Sequence, residues 1–198
     1  MLNMRNFLEL NGNVVYLKKL DKEYIEEYWE NFKNTSIETM IFTGSAQAFN
    51  KTEIENYIDR VAADSDRVDF LIFSKQDNKL VGEVVINEVD RNNRCGNIRI
   101  LINKKEDFSK GYGTEAMILA LNYGFGMFNL HRIELEAYPF NNRAIHVYEK
   151  IGFKREGIRR DGAYYNHKYY DMITMSFLEN EFRDIYLGDL DLNAISYN

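Results

Sequence analysis

The chain has 198 residues, 45% of them apolar and 28% charged, which suits one globular domain with a sizeable core. A net charge of −6 argues against nucleic acid as the main partner, because phosphate binding wants a basic face. The same charge is compatible with a cationic substrate such as an amine, and equally with a plain solubility role. The single cysteine, Cys95, excludes an internal disulfide, and it reads as a turn residue in the polar run Asn92-Asn93-Arg94-Cys95-Gly96. None of the three histidines, His131, His146 and His167, stands at metal-ligand spacing, so no metal is expected. Residues 1–20 lack a signal-peptide core and no apolar run reaches membrane-spanning length, so a cytoplasmic protein with no membrane partner is expected.

Val14, Val15, Tyr16 and Leu17 read as a first strand after the turn signal Asn11-Gly12-Asn13. Asp21 suits an N-cap, and Tyr24, Ile25, Tyr28 and Trp29 share one face of the helix that follows. Residues 35–50 show no clear period. Thr52 with Glu55 has capping-box spacing, and Ile54, Tyr57, Ile58 and Val61 give a second helix its stripe to about residue 63. Strands are expected over 69–73, 80–89 and 97–102, close enough in sequence to form an antiparallel meander. A long helix is expected over 112–128, packing through Ala116, Leu119, Ala120, Tyr123 and Phe128. Ile133-Glu134-Leu135-Glu136-Ala137-Tyr138 alternates as a strand does. Strand, helix, strand in that order implies a parallel pair with a right-handed crossover. A short helix over 141–150 ends at Gly152, and residues 153–159 and 168–177 suggest a hairpin. The result is an α/β chain with a mixed, mostly antiparallel sheet flanked by helices, neither doubly wound nor a barrel. One domain over 1–183 and a C-terminal tail over 184–198 are expected.

Chemistry is concentrated in two stretches. Lys110-Gly111-Tyr112-Gly113-Thr114-Glu115-Ala116 joins an apolar strand to the long helix. Glycines there let backbone N–H groups approach an anion, and the positive end of the helix dipole favours it. About thirty residues on, Asn141-Asn142-Arg143-Ala144-Ile145-His146-Val147-Tyr148-Glu149-Lys150-Ile151-Gly152-Phe153 places Asn141, Ala144, Ile145 and Tyr148 on one helical stripe. Taken together the two stretches resemble the GNAT family of N-acetyltransferases, over about residues 14–179 with the specific motifs in 98–153. The closing hairpin, Gly162-Ala163-Tyr164-Tyr165-Asn166-His167-Lys168-Tyr169-Tyr170-Asp171, resembles that of the members acting on ribosomal-protein N-termini and on polyamines.

The resemblance implies a GNAT fold with a splayed parallel strand pair and acetyl-coenzyme A (acetyl-CoA) as acetyl donor. It implies a pyrophosphate cradle of Ser109, Lys110, Gly111, Tyr112, Gly113 and Thr114, and a pantetheine path along Ile100, Leu101 and Ile102. Asn141 matches the asparagine that faces the cofactor, and Tyr148 the tyrosine near the sulfur, a candidate acid toward the departing thiolate. The sequence departs from the family in carrying Phe108 where Gln or Arg is usual and Asn97 where many members have a catalytic Glu. Asn97 can hold a water, and Glu88 or Glu83 on the neighbouring strand is the remaining candidate base. These two differ by five positions, so an uninterrupted strand turns them to opposite faces. The expected activity is direct acetyl transfer to a primary amine of a protein N-terminus, a polyamine or another small amine. The alternatives are a CoA-binding regulatory module without catalysis and a transferase of another short acyl-CoA. A homodimer is left open.

Overall fold

The computed structural model of the protein describes residues 9–33 and 50–187. Most of the aperiodic stretch 35–50 and all of 188–198 lie outside the described residues. The strands are β1 (Glu9–Asn11), β2 (Val15–Lys19), β3 (Val68–Ser74), β4 (Leu80–Asp90), β5 (Cys95–Ile102), β6 (Arg132–Ala137), β7 (Lys154–Tyr165) and β8 (Lys168–Leu178). The helices are α1 (Ile25–Phe32), α2 (Lys51–Ala63), α3 (Tyr112–Gly126), α4 (Asn142–Ile151) and α5 (Glu179–Tyr186). They build one eight-stranded sheet in the order β1-β2-β3-β4-β5-β6-β8-β7, antiparallel everywhere except at β5–β6. Among the described residues no helix is long and apolar enough to cross a membrane.

All seven residues of β3 are buried because both faces of the strand are covered; its two polar residues are satisfied there, Asp69 by Arg67 and Ser74 by the Tyr112 hydroxyl. Phe70 and Ile72 pack with Val84, Ile86, Ile98, Ile133 and Leu135 under Ala116, Ala120 and Leu121 of α3. Leu71 and Phe73 face the other way, against Tyr28 of α1 and Ile54 and Ile58 of α2. Gly124 sets how closely α3 approaches the sheet. A Cβ there would lie 2.6 Å from Ile133 Cδ1 and 3.0 Å from Ile86 Cδ1, so a larger residue would have to displace the ends of both isoleucines where the helix crosses from β4 to β6.

Several local expectations need correction. The capping box of α2 is Asn50 with Glu53, not Thr52 with Glu55. Asn50 Oδ1 accepts from the Glu53 N–H at 2.9 Å, and the Glu53 carboxylate accepts from the Asn50 N–H at 2.8 Å. Asp21 caps a short 3₁₀ turn, Lys22–Tyr24, rather than α1 itself. Strand β1 was not anticipated; it folds back on β2 through the Gly12–Val15 turn. Cys95 opens β5, paired with Asp90 and Arg132, instead of sitting in a turn. Helix α5 continues past 183, where a tail was expected to begin. Its Phe182 is buried against Phe125 and Phe177, and Tyr186 Oη donates to the Ile151 carbonyl at 2.8 Å. Burying a Phe side chain contributes about 1.5–3 kcal/mol, enough to hold one short helix against the core.

The β1–β2 turn is tied to α3 by one carboxylate. Glu115, in the first turn of α3, accepts from the backbone N–H groups of Asn13, Val14 and Val15 at 2.6, 2.7 and 2.8 Å. Partial burial works against its ionised form, but the three N–H donors prevail and hold its pKa below the ordinary value. Glu115→Gln should therefore cost about 1 kcal/mol at pH 7, after allowance for solvent screening. A depressed folded-state pKa stabilises above the unfolded value and loses that contribution as pH falls through the folded one. Urea titrations of both proteins should show the difference at pH 7 and its disappearance in acid.

Candidate active site

The parallel ladder between β5 and β6 spans three pairs, Cys95 with Arg132, Gly96 with Ile133 and Asn97 with Glu134. Beyond it β5 stays with β4 as far as Ile102, and β6 stays with β8 as far as Ala137. The two strands therefore diverge, leaving backbone N–H and C=O groups on their facing edges without a ladder partner. A cleft of about 270 Å³ opens in the gap. Its walls include Ile100, Leu101 and Ile102 from β5, Glu136 and Ala137 from β6, and Met172 from β8.

The loop between β5 and α3 forms one end of the cleft. Ser109 and Gly111 both adopt left-handed backbone, φ 62° and 84°. Glycine takes this conformation freely, whereas it costs a serine about 1 kcal/mol. Gly111 is the N-cap of α3 and supplies no side-chain cap. The first intrahelical bond is Glu115 N–H to the Gly111 carbonyl at 3.0 Å, so the N–H groups of Tyr112, Gly113 and Thr114 have no partner within the helix. Tyr112 is itself locked into the core, its hydroxyl 3.0 Å from Ser74 Oγ. Ser109, Gly111, Tyr112, Gly113 and Thr114 all line the cleft. Lys110 does not. Its ammonium is 2.9 Å from Asp107 Oδ1, in a neighbouring groove with Lys75 and Gln76.

Helix α4 closes the opposite side. Asn141 is its N-cap, with Oδ1 accepting from the Ala144 N–H at 3.3 Å, and it also lines the cleft. Ala144, Val147 and Tyr148 follow on the same face, and Gly152 ends the helix at φ 127°. The Tyr148 ring packs 6.0 Å from Phe153. The surrounding protein pushes its pKa up to about 12, although the charge of Arg143 pulls the other way. Tyr148 is thus a neutral phenol, with its proton, throughout the physiological range.

The candidate bases are separated. Asn97 is half-buried where the parallel ladder ends and does not line the cleft. Glu88 sits in a bulge between Asn87 and Asp90, at φ 53°, exposed and outside the cleft lining. Glu83 is buried beneath α1, where it accepts from Tyr28 Oη at 2.8 Å; burial raises its pKa, with Arg99 opposing. Two carboxylates line the cleft: Asp107, held by Lys110, and Glu136, which sequence reasoning missed. Burial raises the Glu136 pKa, the Arg159 guanidinium at 2.8 Å lowers it, and Glu134 and Glu88 raise it. Alternating glutamates on a strand carry the pattern of a solvent face, and only the divergence of β5 from β6 turns one of them into a cleft wall.

An uncapped helix end beside left-handed backbone fits a pyrophosphate, and an apolar gap edged by unpaired strand backbone fits an extended amide-bearing arm. Those are the parts of coenzyme A, so fold and cleft together define an acyl-CoA-dependent transferase. Residues 15–154 match the model of the acetyltransferase (GNAT) domain, and the chain belongs to that family. It is an N-acetyltransferase with acetyl-CoA as donor. The chain is 27% identical over 172 residues to a spermidine N(1)-acetyltransferase of Escherichia coli (strain K12), covering 87% of this chain and 90% of that protein. It is 34% identical over 105 residues to a putative ribosomal N-acetyltransferase, YdaF, of Bacillus subtilis (strain 168), covering 53% and 57%. The fold is like that of a spermidine N-acetyltransferase from Vibrio cholerae in complex with CoA and spermine, with a TM-score of 0.78 at 24% identity, covering 86% and 99% of the two chains.

Gly113 separates folding from binding. A Cβ there would meet Ile102 Cγ1 at 3.6 Å and Ile100 Cδ1 at 3.8 Å, ordinary contacts inside the cleft. Gly113→Ala should fold and gain about 0.5 kcal/mol from its helical position. Gly113→Val should also fold, but it narrows the cleft and should weaken acetyl-CoA by tenfold or more in calorimetric titration. Unchanged affinity in a folded valine variant would remove the loop from the cofactor site.

Proposed function

We propose that the chain transfers the acetyl group of acetyl-CoA directly to a primary amine of a small polycation of the polyamine class. The observation that carries this reading is Glu136, a carboxylate in the cleft wall with Glu134 and Glu88 close enough to raise its pKa. Even with Glu136 paired to Arg159 and Glu134 to Arg132, carboxylates outnumber guanidiniums along this wall, which favours a cationic acceptor, and the net charge of −6 adds a long-range attraction. The spermidine acetyltransferases, matched over most of this chain, support the same class.

Ser109, Gly111, Tyr112, Gly113 and Thr114 offer backbone N–H groups to the donor's pyrophosphate, and Asn141 borders the path toward the thioester. Ile100, Leu101 and Ile102 offer strand backbone to its arm, and a donor N–H among them suits the carbonyl oxygen as it gains charge. Acetyl-CoA supplies the acetyl group as a thioester. Glu136, once ionised, accepts the ammonium proton, directly or through a water. Tyr148 holds a proton for the leaving sulfur, and its high pKa keeps it loaded. This reading gives no part to the Lys110 ammonium, to Glu88 or to Asn97, since none of these residues lines the cleft.

Two variants and a substrate panel test the reading. Tyr148→Phe keeps the ring and should lower kcat about a hundredfold with little change in acetyl-CoA affinity. No alkaline loss of wild-type activity below pH 10 should trace to Tyr148. A base with a raised pKa is protonated and idle below it and active above it. The kcat/KM of the wild type should therefore rise with pH through a value above the ordinary glutamate range, and Glu136→Gln should erase that limb. Thiol release with spermidine should exceed that with a neutral-sequence peptide bearing a free N-terminus. Peptide turnover with no spermidine turnover would replace the polyamine with a protein N-terminus.

A further inference from the structure

Arg143 lies in the first turn of α4, with its guanidinium 3.5 Å from the centre of the Phe108 ring. Both residues line the cleft beside Ser109 and Gly111. Among the described residues no carboxylate pairs with Arg143; partial burial lowers its pKa, with Tyr148 opposing. Other arginines in and around the sheet are neutralised, Arg67 by Asp69, Arg132 by Glu134 and Glu156, and Arg159 by Glu136. Lys110, the cation nearest the glycines in sequence, is committed to Asp107 and lies in the next groove. A stacked guanidinium keeps its edge N–H groups available, in a fork that matches two oxygens of one phosphate. Stacking also holds the side chain in place beforehand, which lowers the entropy lost when an anion arrives.

We propose that Arg143, laid on Phe108, is the side-chain ligand of the cofactor's pyrophosphate. It adds a full positive charge to the backbone cradle of 109–114. This rests on the reading that places the pyrophosphate at that loop. Lys105, the other cation lining the cleft, has no aromatic platform among the described residues and serves as a control.

The test is calorimetric titration of the full chain with acetyl-CoA and with acetyl-dephospho-CoA, which differs from it only in lacking the 3′-phosphate. Arg143→Met should weaken both ligands about tenfold or more and to the same factor, with the thermal midpoint and far-UV spectrum unchanged. The dependence of affinity on salt should become shallower, as expected on removing one charge. Arg143→Lys should recover part of the loss, because it restores the charge without the fork. Phe108→Leu should weaken binding about threefold while leaving the guanidinium present, and Lys105→Met should have little effect. Wild-type affinity in Arg143→Met would overturn the proposal, and a loss confined to acetyl-CoA would move Arg143 to the 3′-phosphate and overturn the pyrophosphate assignment. Failure of the wild type to bind either ligand would instead defeat the cofactor reading at the loop, an outcome distinct from both.

Discussion

The parallel ladder of β5 and β6 stops after three residue pairs, and the site follows from that stop. Each strand keeps its antiparallel partner on the far side, so each half of the sheet remains rigid while the seam opens. At the closed end α3 presses onto both halves at Gly124, in contact with Ile86 of β4 and Ile133 of β6. At the open end the same helix presents its uncapped N-terminus. One helix thus closes the seam at its C-terminal end and offers anion-binding amides at the other. Ile100 and Ile102 pack on the α3 side of β5, and alternation along the strand turns Leu101 to the opposite face.

Charge along this gap is divided. The α3 and α4 end carries backbone N–H groups and the Arg143 guanidinium, and the β6 wall carries Glu136 with Glu134 and Glu88 nearby. Under the proposed reading an anionic donor and a cationic acceptor would each find a complement along this gap. Tyr148 stands between, neutral because its surroundings make the phenolate costly. A group that must give a proton late in the reaction is best kept protonated until then.

Periodicity made most of the framework legible. The stripes of α1, α2 and α4, the alternation of β6 and the continuous run of β3 report burial directly, and burial made those elements. The parallel pair followed from strand, helix and strand in sequence. What escaped depended on contacts distant in sequence. The three-residue β1 is too short to show a period and is held by pairing with β2 and by the Glu115 anchor on the adjoining turn. The capping box moved because Asn50 and Glu53 satisfy the same spacing two residues earlier. The opposite-face argument for Glu83 and Glu88 assumed an unbroken strand, which the bulge at Asn87–Asp90 interrupts. Asn141 and Tyr148 were singled out by the resemblance to the GNAT family, helical spacing adding only that they share a stripe, and both border the cleft together with Gly111 and Gly113. Glu136, Arg143 and the diversion of Lys110 were not legible, because each depends on where a neighbouring element places a ring, a carboxylate or a gap.

The central claim is that the seam between β5 and β6 receives acetyl-CoA as a substitute for missing strand pairing. Amide hydrogen exchange with and without acetyl-CoA tests it most directly. The account predicts strong new protection at Ile100–Ile102 and at 109–114, with little change in β3 or β8. Binding accompanied by unchanged exchange in both segments, or by protection concentrated elsewhere, would contradict it.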